Sequence, residues 1–176
     1  MNAVLAYVND SDLRFSGRMR AWKPPRWFRI WMVAATRLGD GWVWLAIASL
    51  LAAGGGPHHR ALAAGAVAGS VASSALVLLK RRFRRPRPCD LAAHPLFGDI
   101  KPPDRFSFPS GHTMNAFAVN VVLALQYPLL APLLGMAAAS IAVSRVVLGL
   151  HYVSDVVVGA LLGTLIGVAT SLVLFG

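Results

Sequence analysis

The stretch that decides the fold is residues 153–175, VSDVVVGALLGTLIGVATSLVLF, in which Asp155 is the only charged residue. A helix crosses a bilayer with about 20 apolar residues, so this stretch predicts a membrane-spanning helix. Gly159, Gly163 and Gly167 recur along it at every fourth position. Small residues at that spacing allow another helix to approach closely, and we expect a helix of the same chain. A homodimer through the three glycines is the alternative.

Four more apolar runs of comparable length precede this stretch. They cover residues 30–53, 61–79, 113–127 and 129–147. Hydrophobic residues make up 56% of the 176 residues, charged residues make up 14%, and the mean hydropathy is +0.59, which is too apolar for an ordinary soluble domain. We therefore predict one all-α domain over residues 1–176, with an integral membrane bundle of about five transmembrane helices in residues 30–176.

Residues 1–29 have a different composition, because aromatic and other apolar side chains alternate there with Lys and Arg. Such a mixture is typical of segments that lie in the headgroup layer of a membrane. We expect an amphipathic interfacial segment, broken at Pro24 and Pro25, with a disordered basic tail as the alternative. Residues 1–12 lack the basic, apolar and small-residue regions of a signal peptide, so we expect the N-terminus to be retained.

The charge balance indicates the class of partner. Lys and Arg number 17 against seven Asp and Glu, a formal net charge of +10, and the cations cluster at the ends of apolar runs. That placement favours lipid phosphate and the headgroups of the bilayer over nucleic acid. Cys89 is the only cysteine, which excludes an intramolecular disulfide and a cysteine metal site. The sequence shows no Asp and Glu cluster of the kind that binds divalent metals, so we expect neither a metal nor another cofactor.

The second apolar run ends abruptly in KRRFRRPRP, residues 80–88. Most cations in such a run anchor a helix end to lipid headgroups, and we expect this of most of them here. Lys80 and Arg87 are singled out because a phosphate is best held by the point charge of a Lys and the planar fork of an Arg, supplied from more than one direction.

The sequence PSGH, residues 109–112, stands where the third apolar run begins. Ser110 can cap the helix, and the free N–H groups of Gly111 and His112 then point at whatever lies above the helix end. Helix N-termini bind anions, so this sequence predicts a second set of phosphate contacts. A plain helix cap followed by an interfacial histidine is the alternative.

Near the end of the chain, Ser144 and Arg145 are followed by His151 and Asp155. His151 and Asp155 are four positions apart, so on a helix they share a face and the carboxylate can orient the imidazole. An imidazole held in this way can act as a nucleophile toward phosphorus. Ionisable groups at membrane depth are costly and are therefore usually functional.

The three motifs together resemble the signature of the type 2 phosphatidic acid phosphatase superfamily. All eleven specified positions are present in order between residues 80 and 155. The resemblance implies a helical-bundle enzyme that needs no metal and transfers phosphate through a phosphohistidine. It also implies His151 as the nucleophile, Asp155 as the residue that orients it and His112 as the general acid. By motif position, the residues that hold the phosphoryl oxygens would be Lys80, Arg87, Ser110, Gly111 and Arg145.

The predicted function is a phosphatase of membrane lipid phosphates, with isoprenoid phosphates or diphosphates favoured over phosphatidic acid and phosphatidylglycerol phosphate. A lipid phosphotransferase would use the same phosphohistidine, and phosphate release without an added acceptor separates the two. A vanadate-dependent haloperoxidase has a similar oxyanion pocket, but its members are soluble and the apolar runs argue against it. A non-enzymatic membrane protein would leave the spacing of His151 and Asp155 unexplained.

Two further pairs of charged or titratable residues lie in or beside the apolar runs, outside the motifs. Arg37 and Asp40, three positions apart in the first apolar run, predict an ion pair that is either internal or turned toward the mouth of the active site, rather than catalysis by Asp40. His58 and His59 lie in a Gly-rich turn and predict a surface loop, since two adjacent histidines without further ligands do not make a metal site.

Charge also predicts the orientation in an inner membrane. With five spans, 15 of the 17 Lys and Arg residues fall on the side of the phosphate-binding groups, Arg60 falls on the other side and Arg37 lies within a span. Loops rich in Lys and Arg usually stay in the cytoplasm, which predicts a cytoplasmic active site. The family resemblance points to the outer face instead, since many bacterial relatives work there.

Overall fold

The computed structural model describes residues 3–41, 44, 46, 49, 52–53, 58–91 and 104–176. Within these ranges the regular structure is helical, which confirms the predicted all-α class. The helices in chain order are α1 (Ala3–Ala21), α2 (Arg26–Leu38), α3 (His59–Phe83), α4 (Pro88–Leu91), α5 (Gly111–Gln126), α6 (Ala131–Val147) and α7 (Val153–Phe175), with a 3₁₀ turn at Pro128–Leu130.

Several helices are long and apolar enough to cross a membrane. By length and composition, three stretches of the described residues qualify: His59–Leu91, Pro128–Val147 and Val153–Phe175. They coincide with three of the five predicted spans. α5 coincides with a fourth, the run at residues 113–127, and has 16 residues.

The first predicted span, residues 30–53, is not one continuous helix. α2 ends at Leu38, and Gly39 closes its last turn by donating its N–H to the carbonyls of Ala35 and Thr36. Ending the helix here keeps the charged Asp40 out of a lipid-facing helix, where it would be costly. Most of residues 42–57 lie outside the described residues, so the rest of this span stays a prediction.

α5 lies at the centre of the bundle and packs against α3, α6 and α7. Its buried contact with α3 is built mainly from small side chains: Ala64, Ala68 and Ala72 on α3, and Met114, Ala118 and Val122 on α5. Small side chains let helix axes approach closely. The outside of the bundle carries exposed apolar side chains such as Leu129 and Val173, as expected for a surface that faces lipid.

The three glycines of α7 face α5 within the same chain. A Cβ atom at Gly159 would lie 2.8 Å from the carbonyl oxygen of Ser110. A Cβ atom at Gly167 would lie 2.6 Å from that of Ala118, and one at Gly163 would also overlap a carbonyl of α5. Glycine is therefore needed for the two helices to meet, which confirms packing within the chain. A homodimer through the same glycines stays a prediction.

The N-terminal segment is helical on both sides of its predicted break. The chain leaves α1, passes through Pro24 and Pro25 in irregular conformation, and enters α2. Trp22 and Phe28 make an edge-to-face contact across this break, with ring centroids 5.2 Å apart. The disordered-tail alternative is therefore wrong for residues 3–29, and the position of this segment in the headgroup layer stays a prediction.

His58 and His59 lie where α3 begins. His58 is in a turn and half-buried, whereas His59 is exposed and is the first residue of α3. The Nδ1 atom of His58 lies 2.7 Å from the hydroxyl oxygen of Tyr127, and this contact ties the start of α3 to the residue that follows α5. The predicted turn is therefore present at His58, and the prediction is wrong for His59 because the helix begins earlier than the apolar run suggests.

Candidate active site

The motif residues come together at one end of the bundle, because most of them lie at helix ends. Lys80 and Arg145 are in the last turns of α3 and α6, while His112 and Asp155 are in the first turns of α5 and α7. A cavity of about 640 Å³ adjoins this end. Six of the eight predicted site residues line it: Lys80, Arg87, Gly111, His112, Arg145 and His151.

His151 is buried, with 2% of its surface exposed, and it faces a cation. Its Nε2 atom lies 3.1 Å from Nη1 of Arg87. A guanidinium can only donate, so Nε2 is the acceptor and the proton of a neutral ring is on Nδ1. Burial lowers the pKa of His151 well below its ordinary range, and the positive charges of Arg145, Arg87 and Lys80 lower it further. The imidazole is therefore neutral, with its lone pair directed at the cations.

Asp155 approaches His151 from the other side of the ring. Its Oδ2 atom lies 3.5 Å from Nδ1, adjacent but longer than an ordinary hydrogen bond. The two residues do not share a helix face as expected, because α7 begins at Val153 and His151 precedes the extended cap residue Tyr152. Asp155 accepts the N–H of Tyr152 at 2.9 Å. Asp155 therefore comes close to His151 because it caps the start of α7, and not because the two residues share a helix face.

A closed turn holds His151 at a set distance from Arg145. The carbonyl oxygen of Arg145 accepts the N–H groups of both Leu150 and His151 at 3.0 Å. Gly149 in this turn has φ of 71°, a conformation that other residues rarely adopt. The five residues between Arg145 and His151 are thus the last two of α6 and the three of a tight turn, which explains the spacing of the motif.

Three cations are buried around the ring of His151, and sequence reasoning missed the acid that is paired with two of them. Asp104 lies 2.6 Å from Nζ of Lys80 and 3.1 Å from Nη2 of Arg87. Burial alone would raise the pKa of Asp104, but the hydrogen bond from Lys80 and the charges of Lys80 and Arg87 outweigh it and lower the pKa. Nε of Arg145 has no hydrogen-bond partner among the described residues. Buried cations in excess favour a multiply charged anion.

The N-terminus of α5 closes the site. Ser110 donates its N–H to the carbonyl of Asp155 at 3.0 Å, and its hydroxyl pairs with that of Thr113, also at 3.0 Å. A Cβ atom at Gly111 would lie 2.5 Å from Cδ2 of Leu76, so glycine allows α3 and α5 to converge here. Phosphate binding by Ser110 and Gly111 stays a prediction, since the Ser110 hydroxyl already has a partner.

From the cations the cavity extends along α3 and α5. It is lined there mainly by small or apolar side chains: Ala61, Gly65, Gly69 and Ser73 on α3, and Val119 and Leu123 on α5. Ala61 and Lys80 are 19 positions apart on α3, about 28 Å at the rise of an α-helix. One end of the cavity is therefore charged, and the rest can hold a long apolar chain.

Comparison with known protein families decides the family. Residues 62–176 match the family model of the PAP2 superfamily. The chain belongs to the PAP2 superfamily. The resemblance to type 2 phosphatidic acid phosphatases drawn from the motifs is thereby confirmed, and all of the motif positions lie in the matched region.

Related PAP2 proteins are lipid phosphatases. The chain is 42% identical over 121 residues to decaprenylphosphoryl-5-phosphoribose phosphatase of Mycolicibacterium smegmatis, which covers 68% of this chain and 62% of that protein, less than two thirds of its length. It is 39% identical over 83 residues to phosphatidylglycerophosphatase B of Bacillus subtilis, 41% of each chain. Among solved structures, the transmembrane PAP2-type phosphatidylglycerolphosphate phosphatase of Bacillus subtilis has a TM-score of 0.76 at 27% identity, covering 97% of this chain and 86% of that one. LpxE of Aquifex aeolicus has a TM-score of 0.74 at 25% identity, covering 90% and 93%.

Arg85, in the basic run taken mostly as headgroup anchors, lies instead behind the PAP2 motif residue Asp155. Its Nη1 donates to Oδ1 of Asp155 at 2.7 Å, and its Nη2 donates to Oδ2 of Asp12 at 2.8 Å. The guanidinium also lies 4.1 Å from the ring centre of Tyr152. Asp12 accepts the N–H of Ser154 at 3.1 Å, so α1 closes the back of the site. In the sequence, the sign of this contact is the acidic Asp12 in an N-terminal segment that is otherwise mainly basic.

The end of α2 also reaches the PAP2 motif residues. The predicted pair of Arg37 and Asp40 is present at 3.5 Å, but Oδ1 of Asp40 lies closer to Nε2 of His112, at 3.0 Å. Oγ1 of Thr36 accepts a hydrogen bond from Nη1 of Arg145 at 2.5 Å. Charged residues in an apolar run indicated that this segment has a function, but the sequence did not show that its partners are His112 and Arg145.

Proposed function

We propose that this protein is a lipid-phosphate phosphatase of the inner membrane that forms a phosphohistidine at His151. The observation that carries the proposal is the placement of His151, a buried ring with cations on its Nε2 side and the carboxylate of Asp155 on its Nδ1 side. Phosphoryl transfer chiefly requires an aligned nucleophile and stabilisation of charge on the phosphoryl oxygens. This arrangement supports both requirements.

In the first step, the Nε2 lone pair of His151 attacks phosphorus, so an N–P bond forms and the P–O bond to the lipid breaks. His112 gives a proton to the departing lipid oxygen. The ring of His151 becomes positively charged in the intermediate, and Asp155 stabilises that charge as its contact with Nδ1 shortens. The three cations hold the phosphoryl oxygens throughout.

In the second step, water attacks the phosphorus of the phosphohistidine. His112, now without its proton, accepts one from the water as the new O–P bond forms. The N–P bond breaks, inorganic phosphate is released and His151 returns to its neutral state. These steps need only groups that the chain itself supplies.

We propose an isoprenoid phosphate or diphosphate as the substrate class. The cavity that leads from the cations along α3 for about 28 Å supports a substrate with one long apolar chain. The Mycolicibacterium smegmatis relative, by its name, acts on a decaprenyl-linked phosphoribose, which also supports a long isoprenoid tail.

The test is phosphate release by the purified protein in detergent, with no acceptor lipid added. The substrates are farnesyl phosphate, farnesyl diphosphate, phosphatidic acid and phosphatidylglycerol phosphate, each with and without EDTA. We expect fastest release from an isoprenoid substrate and no effect of EDTA. No release from any of the four by well-folded protein would overturn the phosphatase proposal. Faster release from a glycerophospholipid would overturn the substrate class alone, and release only after addition of an acceptor would indicate a phosphotransferase.

A further inference from the structure

We infer that residues 36–40, the end of α2 and the two residues that follow it, are part of the active site, with Asp40 as a positioning residue that orients His112. The inference rests on the proposed function, in which His112 moves the proton. The matched PAP2 region begins at residue 62, so this segment lies outside the part of the chain that carries the motifs. α2 is held against α6 and the turn that follows it by the buried cluster of Met32, Val147, Leu148 and Leu150.

The contact between Asp40 and His112 determines which ring nitrogen is available for chemistry. Oδ1 of Asp40 lies 3.0 Å from Nε2 of His112. An ionised carboxylate only accepts hydrogen bonds, so Nε2 carries a proton and Nδ1 is the nitrogen that exchanges a proton with the substrate. In the Ser-His-Asp triad, a carboxylate that selects the tautomer of a histidine contributes about 10⁴-fold to kcat.

Gly39 fixes the position of the same ring by close packing. A Cβ atom at Gly39 would lie 2.9 Å from Cδ2 of His112 and 3.0 Å from Cγ2 of Ile141. The imidazole therefore rests directly against the main chain at the end of α2, with the Asp40 carboxylate at its Nε2. Main-chain packing and a hydrogen bond together define both the place and the rotation of the ring.

Charge supplies the reason for an acid at this position. His112 faces the cavity together with Arg145 and Lys80. Burial disfavours a protonated imidazole most, and the two cations disfavour it further. A general acid must hold a proton until the lipid oxygen departs. Asp40 contacts His112, and its negative charge opposes these effects without outweighing them.

Thr36 extends the inference to the phosphate-binding group Arg145. Thr36 is 2% exposed, and its hydroxyl accepts from Nη1 of Arg145. This contact holds one edge of the guanidinium and leaves its Nε, which has no partner among the described residues, for a phosphoryl oxygen. The end of α2 therefore positions one group for proton transfer and one for phosphate binding.

Kinetics with two leaving groups test the role of Asp40. We expect Asp40→Asn to lower kcat/KM for farnesyl phosphate by about tenfold or more, and that for p-nitrophenyl phosphate by less than about threefold, because an activated leaving group needs little protonation. Asp40→Glu should restore part of the loss. Asp10→Asn breaks an exposed ion pair with Arg14 and is the matched control, expected to leave both values unchanged. Equal losses on the two substrates would overturn the inference.

A spectroscopic measurement tests the contact itself, without activity. In ¹⁵N-histidine-labelled protein in detergent micelles, with His112 assigned from His112→Gln, we expect a protonated, hydrogen-bonded Nε2 that shifts in Asp40→Asn. An unprotonated Nε2, or identical His112 signals in the two proteins, would overturn the inference. Should the wild type release no phosphate from either substrate, the proposed function fails, and this spectrum still decides the contact.

Thr36→Val separates the two roles of the segment. Valine keeps the volume of Thr36 but lacks the hydroxyl that holds Arg145. We expect KM to rise by a similar factor for both substrates, about three- to tenfold, because the loss affects phosphate binding and not the leaving group. A Thr36→Val protein with unchanged KM for both substrates would contradict the part of the inference that concerns Arg145.

Discussion

At His151, burial and neighbouring charge act on the imidazole in the same direction. The ring is enclosed, its Nε2 faces Arg87, and Arg145 and Lys80 add positive charge nearby. Each of these keeps the ring neutral, which is the state in which a histidine is a nucleophile. Asp155 lies 3.5 Å from Nδ1, where the proposed mechanism needs a negative charge to stabilise the phosphorylated ring.

Substitution tests the two roles directly. We expect His151→Ala to reduce turnover to background, about 10⁵-fold or more, because the nucleophile is lost. Asp155→Asn should cost about 10²- to 10⁴-fold, because the nucleophile survives without its counter-charge. Phosphate release by purified variants measures both, and size-exclusion profiles identical to that of the wild type serve as the folding control. A well-folded His151→Ala protein with full activity would refute the phosphohistidine mechanism.

The pKa of His151 predicts its titration. Since burial and the cations lower the pKa, we expect the ring to stay neutral in the folded protein well below its ordinary value of about 6.5. The unfolded chain takes up this proton first, so His151 reduces folding stability as the pH falls below about 6.5. Because the charge of Arg145 lowers the pKa of His151, we expect Arg145→Gln to raise that pKa, as measured from ¹⁵N-histidine spectra. A wild-type His151 that titrates in its ordinary range would contradict this prediction.

Among the helices, the contact of α5 with α7 controls how closely the helix ends that carry the motif residues meet. The glycines of α7 lie against the main chain of α5, where a Cβ atom would overlap carbonyl oxygens. Main chain meets main chain in this contact. A side chain could rotate away from an added Cβ atom, but here the whole helix would have to move. The distance between Ser110 and Asp155, whose main chains share a hydrogen bond, depends on this packing.

Matched glycine substitutions test this packing. Gly167→Ala places a Cβ atom 2.6 Å from the carbonyl of Ala118, and we expect a loss of stability of about 1–3 kcal/mol from overpacking. Gly135→Ala on α6 is the control, since its Cβ atom meets nothing within 4 Å, and helix propensity predicts a gain of up to about 1 kcal/mol. Thermal unfolding in one detergent compares the two. Similar changes in the two variants would show that α5 does not pack closely on Gly167.

For the molecule as a whole, the open prediction is the side of the membrane on which the site lies. α3 begins at His59 and carries Lys80 in its last turn, so the two ends of this one apolar helix face opposite sides if it crosses the bilayer. The surplus of Lys and Arg near the site predicts that this end faces the cytoplasm. The prediction requires that α3 crosses the bilayer, and the count of 15 cations on the side of the site assumes five spans.

Cysteine labelling decides the orientation. In a Cys89→Ser background, His59→Cys and Leu91→Cys each place one thiol at an exposed position at either end of the α3–α4 stretch. We expect a membrane-impermeant thiol reagent to label intact cells carrying His59→Cys and to leave Leu91→Cys unlabelled until the cells are opened. The reverse labelling pattern would place the active site on the outer side of the membrane and contradict the prediction of a cytoplasmic site.

The sequence by itself determined the helical class, the membrane character and the candidate chemistry. All three depend on residues that are close in sequence. The apolar runs are long enough for a bilayer, and the spacing within each motif follows from one helix end or one turn. For His151 and Asp155 the predicted helix face was wrong, but the predicted proximity was right. A helix cap and a helix face both bring residues four positions apart close together.

Only the tertiary structure decided which residues outside the motifs reach the site. Asp40 contacts His112 across 72 positions, and Asp12 contacts Arg85 across 73. Such contacts depend on how α1 and α2 pack on α6 and α7, and that packing is set by the shapes of buried faces rather than by local periodicity. An acid in a basic or apolar segment signals that a charged partner exists, but the packing of the helices decides which residue that partner is.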